Sequence, residues 1–118
     1  MINAKELRIG NYVHSLETGE TQKITGITEE HPYINSITFD YPNYDEIEPI
    51  PLTEEWLFKL GFINDRVLEF YRNDITDSTI IIDYNFICLL GYSHVKLKYV
   101  HELQNLYFAL TGSELTVA

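Results

Sequence analysis

Cysteine is almost missing from this chain. Cys88 is the single one in 118 residues, so no intrachain disulfide can form. It lies in the apolar run 86–90 with no cationic neighbour, the setting of a small buried hydrophobe and not of an activated thiol. Basic residues are scarce as well. Eight Lys and Arg stand against 18 Asp and Glu, a net charge of −10. A surface this negative repels phosphate backbones, so direct nucleic-acid binding is not expected. The charge serves solubility first; imitation of nucleic acid or a basic partner are the alternatives. No apolar run approaches the ~20 residues that span a bilayer, and "MINAKELRIG" lacks the apolar stretch of a signal peptide. A cytoplasmic protein without a membrane partner is expected, in the host cell if the gene is phage-borne. The six glycines are isolated, so there is no Gly-rich phosphate loop. Repeats, low-complexity tracts and linkers are missing too.

What is present suits one globular core. The length is that of one ordinary domain, 1–118, with possible subdomains at 1–62 and 63–118. Hydrophobic residues make up 45% and aromatics 14%, which favours strands and a well-filled interior. The first half reads as short strands with tight turns. "LRIGNYV" (7–13) carries a Gly-Asn pair, and "LETGET" (16–21) is a turn on Gly19. "KITGIT" (23–28) points Ile24 and Ile27 inward, with a bulge at Gly26. "EEHPY" (29–33) is a loop, and "INSITFDY" (34–41) alternates as a strand. The segment 42–49 leads to Pro49 and Pro51, which lack N–H donors and confine it to a sheet edge. A curled antiparallel sheet or a small barrel-like first half is expected.

"IPLTEEWLFKLGF" (50–62) is a helix with both ends marked. Thr53 is the N-cap, and Glu54 and Glu55 suit the positive end of the helix dipole. Leu52 staples onto Leu57, and Gly61 ends the helix with Phe62 folding back. Adjacent helical carboxylates diverge by about 100°, so the two glutamates do not form an acid/base pair. The second half reads as a β-meander, with strands at 66–72, 78–85, 86–92 and 94–100 and turns at 73–77 and 91–93. A C-terminal helix over 99–112 carries Val100, Leu103, Leu106, Tyr107 and Leu110 at helical spacing, ended by Gly112. The expected class is therefore α+β.

No catalytic constellation emerges. His14, His31, His94 and His101 show no zinc-ligand spacing and are expected at the surface. There is no nucleophile elbow, and the carboxylates are dispersed. No catalytic, metal or cofactor site is expected. Two surfaces have recognition character. In "HVKLKYV", alternation stacks His94, Lys96 and Lys98 on one face, opposite Val95, Leu97 and Tyr99. On an edge strand such lysines guard against aggregation; on a central strand they would meet the acidic loop 40–48 or a small anion. The central position is expected, because the strand runs directly into the closing helix. The loop "DYPNYDE" offers Tyr41, Asn43, Tyr44 and Asp45, the residue types of recognition loops.

Three segments, "LRIGNYV", "EPIPLTEEWLFKLGF" and "VKLKYVHELQNLYFALTGSELT", stand in this order along the chain. In them the chain resembles small uncharacterised proteins encoded by phages and prophages of Bacteroidota. The resemblance implies a phage setting, with anti-defence, host-takeover or assembly roles and a host or phage protein as partner. It brings no functional residues with it. The expected function is a small non-enzymatic interaction or binding module. The alternatives are an acidic anti-defence decoy that mimics nucleic acid, recognisable by a continuous carboxylate stripe over 40–55, and a small-molecule enzyme, which would need a deep pocket with converging polar groups.

Overall fold

In the computed structural model the described residues are 6–16, 19–27, 32–34, 47–73, 80–90 and 93–117. They form two antiparallel sheets and two helices. The first half supplies β1 (Tyr12–Ser15), β2 (Thr21–Ile27), β3 (Pro32–Ile34) and β4 (Ile47–Glu48), in the order β3-β2-β1-β4. Of the two forms expected of this half, the open sheet is the one seen. The register slips between Ile24 and Gly26, which is the bulge foreseen from the glycine. β4 lies at the edge, as its flanking prolines require. Pro32 and Tyr33, expected in a loop, belong instead to β3. Leu7, Val13, Ile24 and Ile47 close a small core on this sheet, with Ile27 packed against it.

Helix α1 (Glu54–Lys59) starts on Thr53, whose Oγ1 accepts from the Trp56 N–H at 3.3 Å. Leu52 and Leu57 are both buried, as a staple needs. Gly61 takes φ +90°, a conformation that costs glycine nothing. The chain then enters β5 (Phe62–Asp65), a strand the periodicity did not reveal. β6 (Phe70–Asn73), β7 (Ile81–Asp83), β8 (Ile87–Leu90) and β9 (Ser93–Lys96) complete a meander ordered β5-β6-β7-β8-β9. The segment expected as one strand from 66 to 72 is thus split: residues 66–69 turn, and only β6 pairs. The turn expected at 73–77 lies largely outside the described residues.

Cα partners share a face, so Asn64, Tyr71, Ile82, Cys88 and Val95 line one side of the meander. That side packs on α1 and on α2 (Val100–Thr111) in a core with Leu57, Leu60, Phe62, Leu97, Leu103 and Tyr107. Cys88 is fully buried there, and burial pushes its thiol pKa up. The buried face of α2 is Val100, His101, Leu103, Gln104 and Tyr107, while Leu110 is exposed. The sequence stripe was therefore right in period and wrong in composition, because two polar residues lie inside.

Gln104 and its neighbour Asn105 tie α2 to the first half. Gln104 Oε1 accepts from the Tyr12 N–H at 2.9 Å, and its Nε2 donates to Gly10 O at 2.9 Å and Leu115 O at 3.0 Å. Asn105 Oδ1 accepts from Asn11 Nδ2 at 2.9 Å. The Gly-Asn pair of the opening segment is explained by this junction: Gly10 takes φ +101° and Asn11 is buried.

Candidate functional site

The richest cluster of polar and aromatic groups lies at one end of the five-stranded meander. The tyrosine on β6 anchors it. Tyr71 is buried, stacks on Phe86 with ring centroids 6.3 Å apart, and meets Tyr84 edge-on at 5.4 Å. Its hydroxyl donates to Glu54 Oε2 at 2.6 Å, across from the first turn of α1. Asn64 on β5 reaches the same oxygen through Nδ2 at 3.4 Å, and its Oδ1 accepts from the Tyr84 hydroxyl at 2.6 Å. Glu54, Asn64, Tyr71 and Tyr84 line a cavity of about 420 Å³ together with Arg66 and Glu69. Burial, and then the hydrogen bond and charge of Glu54, push the Tyr71 hydroxyl up to about 12. The phenol therefore stays protonated and donating at neutral pH.

The two turns at this end are rigid. Asp65 Oδ1 accepts from the N–H groups of Val67 at 3.1 Å and Leu68 at 3.2 Å, which fixes the β5–β6 turn. Asp83 Oδ1 does the same for Asn85 and Ile87 in the β7–β8 turn. Glu69 and Phe86 both take φ +60°, and they are the two non-glycine residues with positive φ among those described. Each such residue costs roughly 1–2 kcal/mol in backbone strain. The β5–β6 turn holds its apolar side chains in solvent: Val67 is 90% exposed and Leu68 61%. Phe58 on α1 and Tyr84 are exposed as well, and each meets the Tyr71 ring edge-on.

Sequence reasoning passed over this site. It assigned Glu54 to helix capping alone, and that assignment is incomplete. Glu54 does sit in the first turn, but its carboxylate is also the acceptor for Tyr71, 17 residues away. No local spacing signals such a contact.

The basic stripe lies elsewhere. His94 pairs with Leu89 and Lys96 with Ile87, so both face away from the helices, as alternation requires. Lys98 falls beyond β9, and all three are exposed. The expected central position is corrected: β9 is the outer strand of the meander. The chain is locked into place after the strand, where Leu52 N donates to Lys98 O at 2.9 Å and Val100 N to Ile50 O at 2.8 Å. At an edge, exposed lysines discourage pairing with another sheet. Lys96 Nζ also donates to Asn85 O. The stripe and the cluster around Tyr71 share no residue. Tyr41, Asn43, Tyr44 and Asp45 lie outside the described residues, as do three of the six carboxylates of the 40–55 stripe, Asp40, Asp45 and Glu46.

A second cavity, of about 360 Å³, is lined by Glu6, Arg8, His101, Glu102 and Asn105. His101 was expected at the surface and is buried instead, stacked on Tyr99 at 5.8 Å. Burial holds its pKa below the usual histidine range, against the opposing pull of Glu102 and Glu6. Among the described residues no three His, Cys, Asp or Glu side chains gather as a metal site. No described helix is long and apolar enough to cross a membrane. Comparison with family models, with curated proteins and with solved structures finds no match.

Proposed function

We propose that this protein is a non-enzymatic interaction module, and that it contacts a partner protein through the end of the meander formed by α1 and the turns at 66–69 and 84–86. One observation carries this reading: a turn pinned by Asp65 presents Val67 and Leu68 to water beside a fixed cluster of Tyr71, Tyr84, Asn64 and Glu54. Exposing two adjacent aliphatic side chains does nothing for folding, whereas covering them on a partner is favourable. Tyrosine and arginine beside an apolar anchor are the residue types that dominate protein interfaces. The paired strain at Glu69 and Phe86 fits a surface kept for a purpose other than stability. Catalysis is disfavoured because the Glu54 carboxylate is occupied by Tyr71 and Asn64, and the phenol is too weak an acid to serve near pH 7. A partner with an apolar groove and a basic rim suits the lining of Glu54 and Glu69 against Arg66. In the phage or prophage setting that the sequence resembles, that partner is a host or phage protein.

The test uses a photo-crosslinking side chain at position 67, and a second at exposed position 55 as a control, in cells that express the protein. The reading expects a discrete adduct from position 67 that is lost in the Leu68→Ser background, while Val67→Ser/Leu68→Ser melts like the parent. Identical adducts from both positions, or none from position 67, would refute it.

A further inference from the structure

The outer side of β9 is covered along part of the extended chain and open along the rest. Leu52 N donates to Lys98 O, Val100 N donates to Ile50 O, and Pro51 bridges Tyr99, so residues 50–52 lie against 98–100 as an antiparallel strand would. Leu97 N donates to the other side, to Phe86 O at 2.8 Å. Successive residues of an antiparallel strand turn their N–H and C=O groups alternately to its two sides. The backbone groups of His94 and Lys96 therefore point away from β8, as that of Lys98 does. Continued past Leu52, the segment 50–52 would pair with Lys96 and His94. It does not continue, because Thr53 caps α1 and the chain leaves the sheet there. Among the described residues no strand takes its place, and His94, Val95 and Lys96 are exposed.

Side chains decide what an incoming strand must carry. His94 and Lys96 stand on the face turned away from the helices, and Lys98 follows in the same alternation, since Leu97 between them is buried. Val95, on the opposite face, is 37% exposed. Lys96 uses one of its three donors on Asn85 O and keeps the others for a second acceptor. Directly opposed residues of paired strands stand about 4.5–5.5 Å apart, so carboxylates at alternate positions would reach Lys96 and His94, with an apolar residue between them over Val95. Another copy of β9 would set lysine against lysine. The opposite edge of the meander, β5, carries one carboxylate, Asp65, which Arg72 and the β5–β6 turn already engage.

We propose that the edge of β9 takes an acidic extended segment of another protein as a further strand of the meander. Its carboxylates lie on His94 and Lys96 and an apolar side chain between them covers Val95. Main-chain hydrogen bonds to the N–H and C=O groups of His94 and Lys96 hold the segment, and the basic side chains select it. The charges that turn away neutral and basic edges are the ones that admit an acidic one. This edge shares no side chain with the surface around Val67 and Leu68, and loss of binding at either leaves the other intact.

A short blocked peptide of alternating Glu and Val, titrated into the isotope-labelled intact protein, is the test. Two controls accompany it: the same peptide with Lys for Glu, and the acidic peptide N-methylated at its glutamates, which keeps the charge and removes the donors that face the edge. The acidic peptide is expected to shift the amide resonances of His94 and Lys96 and to slow their hydrogen exchange. Both controls should bind about tenfold more weakly or worse. Lys96→Glu should melt like the parent, because the side chain is exposed, and should reverse the preference toward the lysine peptide. No binding of the acidic peptide at millimolar concentration would overturn the proposal. So would equal binding of the N-methylated peptide, shifts that leave His94 and Lys96 unmoved, or an unchanged preference in Lys96→Glu.

Discussion

Removing one oxygen atom tests the cluster around Tyr71. In Tyr71→Phe the ring keeps its packing on Phe86 and Tyr84 and loses the 2.6 Å hydrogen bond to Glu54. A hydrogen bond to a charged group contributes about 1.5–3 kcal/mol when sheltered, and Glu54 is exposed, so a loss of about 1–1.5 kcal/mol is expected near neutral pH. The pH dependence of that loss is more specific. The Tyr71 pKa is 10.0 in the unfolded chain and about 12 in the fold. A group whose pKa is raised on folding gives its full stability below the unfolded value and loses it as pH climbs toward the folded one. At pH 11 the parent has lost about 1.4 kcal/mol from this residue, one pKa unit's worth. The gap between parent and Tyr71→Phe should therefore hold from about pH 7 to 9 and close near pH 11. Urea unfolding followed by fluorescence of Trp56, the single tryptophan, measures it. A gap of constant size from pH 8 to pH 11 would show that the hydroxyl is not held by the carboxylate.

Other predictions follow from the helices and the junction. Gln104→Ala leaves the N–H of Tyr12 and the carbonyls of Gly10 and Leu115 without their partner, and should cost about 3–5 kcal/mol in a denaturant titration. Trp56 is half-buried against Tyr12 at 5.7 Å, so Trp56→Ala should cost about 2–3 kcal/mol, below the value for a fully buried tryptophan, whereas Glu55→Gln should change the melt by a few tenths. A chain ending at Tyr99 should lose its cooperative melt, because Val100, Leu103 and Tyr107 belong to the main core. Below pH 6.5 the unfolded chain protonates His101 before the native one does, so stability falls with acid, and a His101→Asn variant should lose part of that slope in acid titrations. Lys96→Ser/Lys98→Ser should raise the sedimenting mass by exposing an unguarded edge on β9, and an unchanged mass would deny the lysines that purpose.

What the sequence determined alone is what residues within a few positions of each other decide. The span of α1 was legible because the Thr53 cap, the Leu52–Leu57 staple and the Gly61 exit all act over three to five residues. The bulge at Gly26, the edge position of β4 beside its prolines, and the period of α2 are local in the same sense. The tertiary structure decided the rest, because pairing partners are chosen over long separations. β5 is too short to show a period, and its place beside β6 became visible only with the sheet assembled. Strand order put β9 outside, although its alternation is the same at an edge as at a centre. Within α2, the apolar stripe read from the sequence left out positions 101 and 104; only the arrival of β1 and the segment before it gave the Gln104 amide two of its three partners, while the buried His101 nitrogens have no hydrogen bond among the described residues. Glu54 meets Tyr71, and Arg8 shares a cavity with His101, by the same long-range convergence. Side chains that meet across 17 or 93 residues have no spacing to betray them, and both of these cavities are built from such meetings.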